Sequence, residues 1–91
     1  MPKVMKYRNR TDIISEILEV ANGGGATKTK IMYQAFLSYL QLKEYLPMLT
    51  ERSLISYNAD TRTYKTTEKG LMLLEAYNVL VDLMSKKTQE K

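Results

Sequence analysis

A chain of 91 residues, 44% of them hydrophobic and 26% charged, has room for one folded domain with a modest core. With neither Cys nor His, it excludes disulfides, thiol chemistry, Cys/His zinc sites and histidine-based catalytic triads. The formal net charge of +4 at pH 7 suits a polyanionic partner, and where the charge sits matters more than its size.

Two enzyme-like signals fail on inspection. Asp12, Glu16 and Glu19 are the tightest acidic group, and at helical spacing they read as a solvated face, not a metal site. Gly23-Gly24-Gly25 followed by Lys28-Thr29 lacks the phosphate-loop frame, and no strand precedes it. The expectation is a non-enzyme with no cofactor, no metal and no small-molecule substrate. No apolar run approaches a membrane span and the N-terminus has no signal-peptide core, so a cytoplasmic location is expected.

Residues 1–9 read as a flexible basic arm, with Lys3, Lys6 and Arg8, joined by Arg10, and no acid among the first ten residues. Asn9 or Thr11 can cap a first helix, and Ile13, Ile14, Ile17, Leu18 and Ala21 form its apolar stripe. Asn22-Gly23 ends it. After a glycine loop containing Ala26, Thr27 or Thr29 caps a short second helix that runs to about Ala35, with Ile31, Met32 and Ala35 inward. Phe36-Leu37 makes the turn.

Ser38 and Gln41 then have the spacing of a capping box, and Leu37 and Leu42 that of a hydrophobic staple. The third helix, Tyr39 to about Arg52, is therefore aimed accurately. Leu42, Tyr45, Leu46 and Leu49 recur at helical spacing and face the core. Tyr39, Leu40, Lys43, Glu44 and Pro47 are left for the outer side. Pro47 either kinks the helix or is a tolerated surface proline.

Leu54–Tyr57 and Thr63–Thr66 read as the strands of a hairpin around the turn-rich Asn58–Arg62. A hairpin after a helix-turn-helix is a wing, and Arg62 sits at its tip. Thr67 caps a last helix reaching Ser85 or beyond, followed by a frayed tail. Leu73, Tyr77, Leu80 and Met84 follow a 4-3-4 spacing, widened by Leu74 and Val81. That stripe either packs on its own domain or, the favoured reading, makes a coiled-coil seam with a second copy.

These residues resemble the archaeal ArnR-like winged helix-turn-helix proteins, among them the small ten-kilodalton winged-helix DNA-binding proteins of Sulfolobus. The resemblance rests on Ile13-Ile14 through Glu19, Thr29–Tyr33, Leu37-Ser38-Tyr39, Gln41-Leu42-Lys43 with Tyr45-Leu46, Leu49, Leu54-Ile55, and Tyr64 through Gly70. It implies a mainly α fold with a small β-hairpin wing, double-stranded DNA binding, and in several members an antiparallel coiled-coil dimer through the last helix. Departures are Phe36 where Asn is frequent, Ser53 where a helix-ending Gly is usual, Pro47, and a shorter last helix. Backbone strain or a small shift is expected at Phe36 and Ser53.

The expected layout is an arm (1–9), a winged helix-turn-helix domain (10–67), and a dimerisation helix with tail (68–91). Tyr39, Leu40, Lys43 and Glu44 are expected to face bases: Lys43 towards guanine, Leu40 towards a thymine methyl, Glu44 towards a cytosine amino group. Lys28, Lys30, Arg62, Lys65, Lys3, Lys6, Arg8 and Arg10 are the expected phosphate contacts. Leu73, Tyr77, Leu80, Val81 and Met84 are the expected dimer interface. The partner is double-stranded DNA, for regulation of transcription or chromatin-type coating in the nucleoid. The alternative is a protein-interaction adaptor of the same fold, docking through Leu40, Pro47 and Met48.

Overall fold

Each helix begins where a short polar side chain can take up the first free backbone amides. The computed structural model describes residues 8–89. They form α1 (Arg10–Ala21), α2 (Lys28–Gln34), α3 (Tyr39–Glu51), β1 (Ile55–Asn58), β2 (Thr63–Thr66) and α4 (Glu68–Gln89). Lys3 and Lys6 lie outside the described residues.

Asn9 caps α1 reciprocally with Asp12, the backbone amide of each residue donating to the side chain of the other. Thr27 accepts from the Lys30 amide at the start of α2. Ser38 and Gln41 form the expected capping box, at 3.1 Å and 3.0 Å. Thr67 accepts from the Gly70 amide, and its own hydroxyl donates to the Ser53 carbonyl, tying the start of α4 to the end of α3.

Two helix ends use the same device. After α2, the Phe36 amide donates to the Tyr33 carbonyl and the Leu37 amide to the Met32 carbonyl. After α3, Ser53 donates to Thr50 and Leu54 to Leu49 in the same pattern. Such a close needs a left-handed residue, usually glycine. Here the positions are held by Phe36 (φ 55°) and Ser53 (φ 62°), as the departures from the family pattern led one to expect. Each costs about 1–2 kcal/mol relative to a relaxed backbone. What the motif secures is the next residue: Leu37 and Leu54 are both buried.

The core lies between α1, α2, α3 and the inner face of the hairpin. Ile17, Leu18, Ile31, Ala35, Leu49 and Ile55 are sealed from solvent, with Leu42, Tyr45 and Leu46 close behind. The inward stripe of α3 is the one its periodicity predicts. In α1, Ile14 is only half-buried, while Ser15 is buried and donates its hydroxyl to the Asp12 carbonyl. The strands pair antiparallel with Ile55 opposite Thr66 and Tyr57 opposite Tyr64. The buried Thr66 hydroxyl donates to the Leu18 carbonyl at 2.7 Å, joining wing to α1. Ala26, read from sequence as loop, exchanges two backbone hydrogen bonds with Tyr64 at 2.8 Å and 2.7 Å, and so adds a third, one-residue rung to the sheet.

Gly70 explains how α4 can start so close to the wing. A Cβ there would collide with the Leu54 carbonyl oxygen and lie 2.7 Å from Thr66 Cγ2. Leu74 packs into the core and Tyr77 is half-buried, but the side chains from Asn78 to Ser85 are exposed. The helix projects beyond the domain, giving a longest extent of 51 Å. Among the described residues, no helix is long and apolar enough to cross a membrane.

Candidate nucleic-acid interface

The surface of α3 divides as its spacing dictates. Leu42, Tyr45, Leu46 and Leu49 point inward, which leaves Tyr39, Leu40, Lys43, Glu44 and Pro47 outside. Leu40, at the second helical position, is 75% exposed. An apolar side chain left so bare on an aimed helix start is available for contact. The Lys43 ammonium lies 5.5 Å from the centre of the Tyr39 ring, a cation–π distance that keeps the charge near the helix N-terminus. The helix runs unbroken through Pro47.

Three elements converge beside this face. Lys28 from the first turn of α2, Leu42, Lys43, Leu46 and Pro47 from α3, and Tyr64 from β2 line a cleft of about 160 Å³. The fold thus brings together Lys28 and Lys43, which are fifteen positions apart in the chain. Burial, with Tyr57 adding to it, pushes the Tyr64 phenol above its usual range. The Tyr57 and Tyr64 rings meet at 4.7 Å, stiffening the hairpin.

The wing turn is held by the Asn58 side chain, which accepts from the Asp60 and Thr61 amides, and by an Arg62-to-Asn58 backbone hydrogen bond. Arg62 itself is left-handed (φ 59°) and exposed. Lys65 stands opposite Ser56 on the outward side of the ladder. An open groove of about 780 Å³ runs along this side past Gly24, Ser56, Tyr57, Thr61 and Lys65. Tyr57 and the hydroxyls beside it were read from sequence only as strand formers. Ser56 and Lys65 face outward, while Tyr57 shares the face of Ile55 and meets Tyr64; this division follows the register, which a four-residue strand specifies weakly.

Two arginines assigned to phosphates have other partners. Arg8 Nη1 donates to Glu16 Oε1 at 2.5 Å and to the Ala35 carbonyl at 2.6 Å, and Nη2 donates to the Phe36 carbonyl at 2.6 Å. With its side chain only 11% exposed, Arg8 is a clamp between α1 and the α2–α3 turn, not part of a free arm. Arg10 is the first residue of α1, donates to Glu44 Oε2 at 3.0 Å, and lies 5.0 Å from the centre of the Tyr45 ring. The Glu44 carboxylate holds the Arg10 guanidinium more firmly protonated. Glu44 therefore presents a compensated charge on the outer side of α3. Lys28, Lys30, Lys43, Arg62 and Lys65 are exposed.

On α4 the expected seam is split. Tyr77 turns to α1, where its hydroxyl donates to Asp12 Oδ1 at 2.5 Å, so it is not a free interface residue. Leu73, Leu80, Val81 and Met84 are exposed, as are Met72, Val79 and Leu83 beside them.

A winged helix-turn-helix family model matches residues 7–85. An uncharacterized protein of Methanocaldococcus jannaschii is 30% identical over 80 residues, which span 88% of this chain and 80% of that protein. The crystal structure of Sso10a-2, a DNA-binding protein from Sulfolobus solfataricus, matches with a TM-score of 0.66 and 27% identity, over 90% of this chain and 92% of that one.

Proposed function

Since the chain belongs to the winged helix-turn-helix family, we propose that it binds double-stranded DNA, with α3 in the major groove and the wing alongside it. The observation that carries this reading is the outer side of α3. Its first turns present Tyr39, Leu40 and Lys43 from a capped, rigid start, beside Lys28 and with Tyr64 of the wing in the same cleft. In this reading Lys43 donates to guanine and Leu40 meets a thymine methyl. Lys28, Lys30, Arg62 and Lys65 bind phosphates and set the register. Glu44, already engaged by Arg10, avoids repelling the backbone and accepts from a cytosine amino group only by exchanging partners. The DNA-binding description of Sso10a-2 supports the same reading.

The protein acts as a homodimer in the nucleoid, its second copy covering the projecting part of α4. Leu73, Leu80, Val81 and Met84, with Leu83 beside them, provide the apolar surface for that contact. Two wings and two reading helices then share one duplex. The role is a regulator of transcription or a chromatin-type coat.

The test is duplex binding over a salt series. Four phosphate contacts per domain, hence eight per dimer, give a slope of log K against log salt of about −7.2, so a twofold rise in salt weakens binding roughly 150-fold. Replacing Lys28 or Lys65 by Ala reduces the magnitude of the slope by about 2 for the dimer, one contact from each copy. Absence of binding at low salt ends the proposal.

A further inference from the structure

We infer that Phe36 is a DNA-contacting residue, an aromatic anchor that the α2–α3 turn holds out beside the reading helix against the deoxyribose edge of the groove. The inference rests on the DNA-binding reading above and deepens it.

Phe36 occupies a left-handed position that a bulky side chain rarely takes, and glycine or asparagine would relax it. Its ring is not buried in return. It is 62% exposed, although the residue after it, Leu37, delivers the packing that the turn requires. The core therefore does not account for an aromatic ring at this position. Strain that structural packing does not explain is characteristic of sites of contact.

The position is also clamped. Arg8 donates to the carbonyls of both Ala35 and Phe36, so one guanidinium holds two successive carbonyls of the turn, and Arg8 acts as the positioning residue. Two residues further on, Ser38 starts α3, which places Phe36 at the same end of that helix as Tyr39 and Leu40. Tyr33, one turn earlier in α2, is exposed as well. Tyr33, Phe36, Tyr39 and Leu40 are thus four exposed apolar side chains on the turn and the helix segments beside it, with the Lys43 ammonium 5.5 Å from the centre of the Tyr39 ring. Exposed apolar side chains at the end of α3 that also carries Lys43 suit the sugar edges of a duplex, which are apolar and lie beside the phosphates. This contact adds affinity without releasing counterions, so it is independent of salt.

The experiment compares duplex binding by the wild type, Phe36→Asn and Phe36→Ala over a salt series, with thermal melts of each. Phe36→Asn relieves the backbone and raises Tm by about 4–8 °C. Both variants bind about tenfold more weakly at every salt concentration, with the slope unchanged. Ser53→Gly, which relieves the same strain at the far end of α3, raises Tm and leaves affinity as it was. Greater stability with lower affinity is an outcome that a purely structural role for the ring does not produce. Wild-type affinity in Phe36→Asn and Phe36→Ala overturns the inference while leaving DNA binding intact. Loss of binding in the wild type itself removes the reading beneath it.

Discussion

Replacing Arg8 by Ala separates two roles that look identical in the sequence. If Arg8 belongs to a basic arm, its removal costs a phosphate contact and nothing in stability. In the structure it loses three charge-assisted hydrogen bonds, to Glu16, Ala35 and Phe36. Each such bond is worth about 1.5–3 kcal/mol when shielded from water. Glu16 retains 36% side-chain exposure and the Phe36 carbonyl is exposed, so water recovers much of those two. The loss then amounts to little more than one shielded bond together with the packing of the side chain, about 2–3 kcal/mol. For a domain of this size that lowers Tm by about 10–20 °C. Urea melts measure the loss, and Arg8→Lys recovers part of it, since an ammonium can donate to one of the two carbonyls without spanning both. The companion assay is the salt dependence of duplex binding at 25 °C, whose slope stays at the wild-type value. An unchanged melt with a slope smaller by about 1 per domain would falsify the clamp and return Arg8 to the phosphate contacts.

Gly70→Ala places a methyl group against the Leu54 carbonyl and Thr66 Cγ2. Overpacking of this kind costs about 1–3 kcal/mol, and the better helix propensity of Ala returns up to about 1, for a net loss near 1–2 in a urea melt; a variant as stable as the wild type contradicts the close approach. Tyr77→Phe frees Asp12, whose carboxyl is held below its ordinary value mainly by the Tyr77 hydroxyl and next by the Asn9 backbone amide. A lowered folded-state pKa gives stability that is present above the ordinary value of 3.8 and is lost as pH falls through the folded one, so the wild type loses more than Tyr77→Phe between pH 5 and strongly acid conditions. The Tyr77 phenol is raised by the same bond, and its contribution is present below 10 and lost as pH climbs through the folded value. Equal acid limbs in the two proteins would show that the bond does not form in solution. Leu80→Lys puts a charge on the exposed side of α4 and converts a dimer to a monomer in sedimentation, with the melt of the domain itself little changed; a wild-type monomer at the same concentration rules out the shared helix.

What the sequence made legible was local. Caps, helix ends and the inward stripe of α3 depend on residues within about four positions, and Ser38 with Gln41, or Leu42 with Leu46, behave as their spacing dictates. The strain at Phe36 and Ser53 was expected only from the resemblance, which has Asn and Gly at these places; the structure supplies the reason, a Schellman close that demands a left-handed residue whatever its identity. What stayed illegible was the partnership of long side chains. Arg8 finds Phe36 across 28 positions, Arg10 finds Glu44 across 34, and Tyr77 finds Asp12 across 65. No periodicity encodes these meetings, since they arise only after α1 has packed against the α2–α3 turn and α4 against α1. Which side chains lie on the outer side of α3 was therefore legible from helix geometry, whereas which cations the fold has already engaged was not.

Pro47 and Glu44 look like faults in a reading helix, and the fold gives each a local reason. Proline removes the amide that would reach the Lys43 carbonyl. In α3 that carbonyl belongs to the outer side, where solvent can take the missing donor's place, and the helix continues unbroken to Glu51. The pyrrolidine ring meanwhile forms one wall of the cleft that holds Lys28 and Lys43 together. Glu44 sits one residue further round from Lys43, where an uncompensated carboxylate would repel a phosphate backbone. Arg10 reaches it from the first position of α1 and remains over the Tyr45 ring. Placing the cation on a separate helix ties the reading helix to α1 as well as neutralising the acid. Glu44→Gln keeps the shape and removes the charge, which leaves Arg10 free to act on the phosphates. The salt slope should then steepen by up to about 1 per domain, whereas a Glu44 that reads cytosine directly loses discrimination at one base pair with the slope unmoved. Measuring both quantities on the same duplexes decides which of the two the carboxylate does.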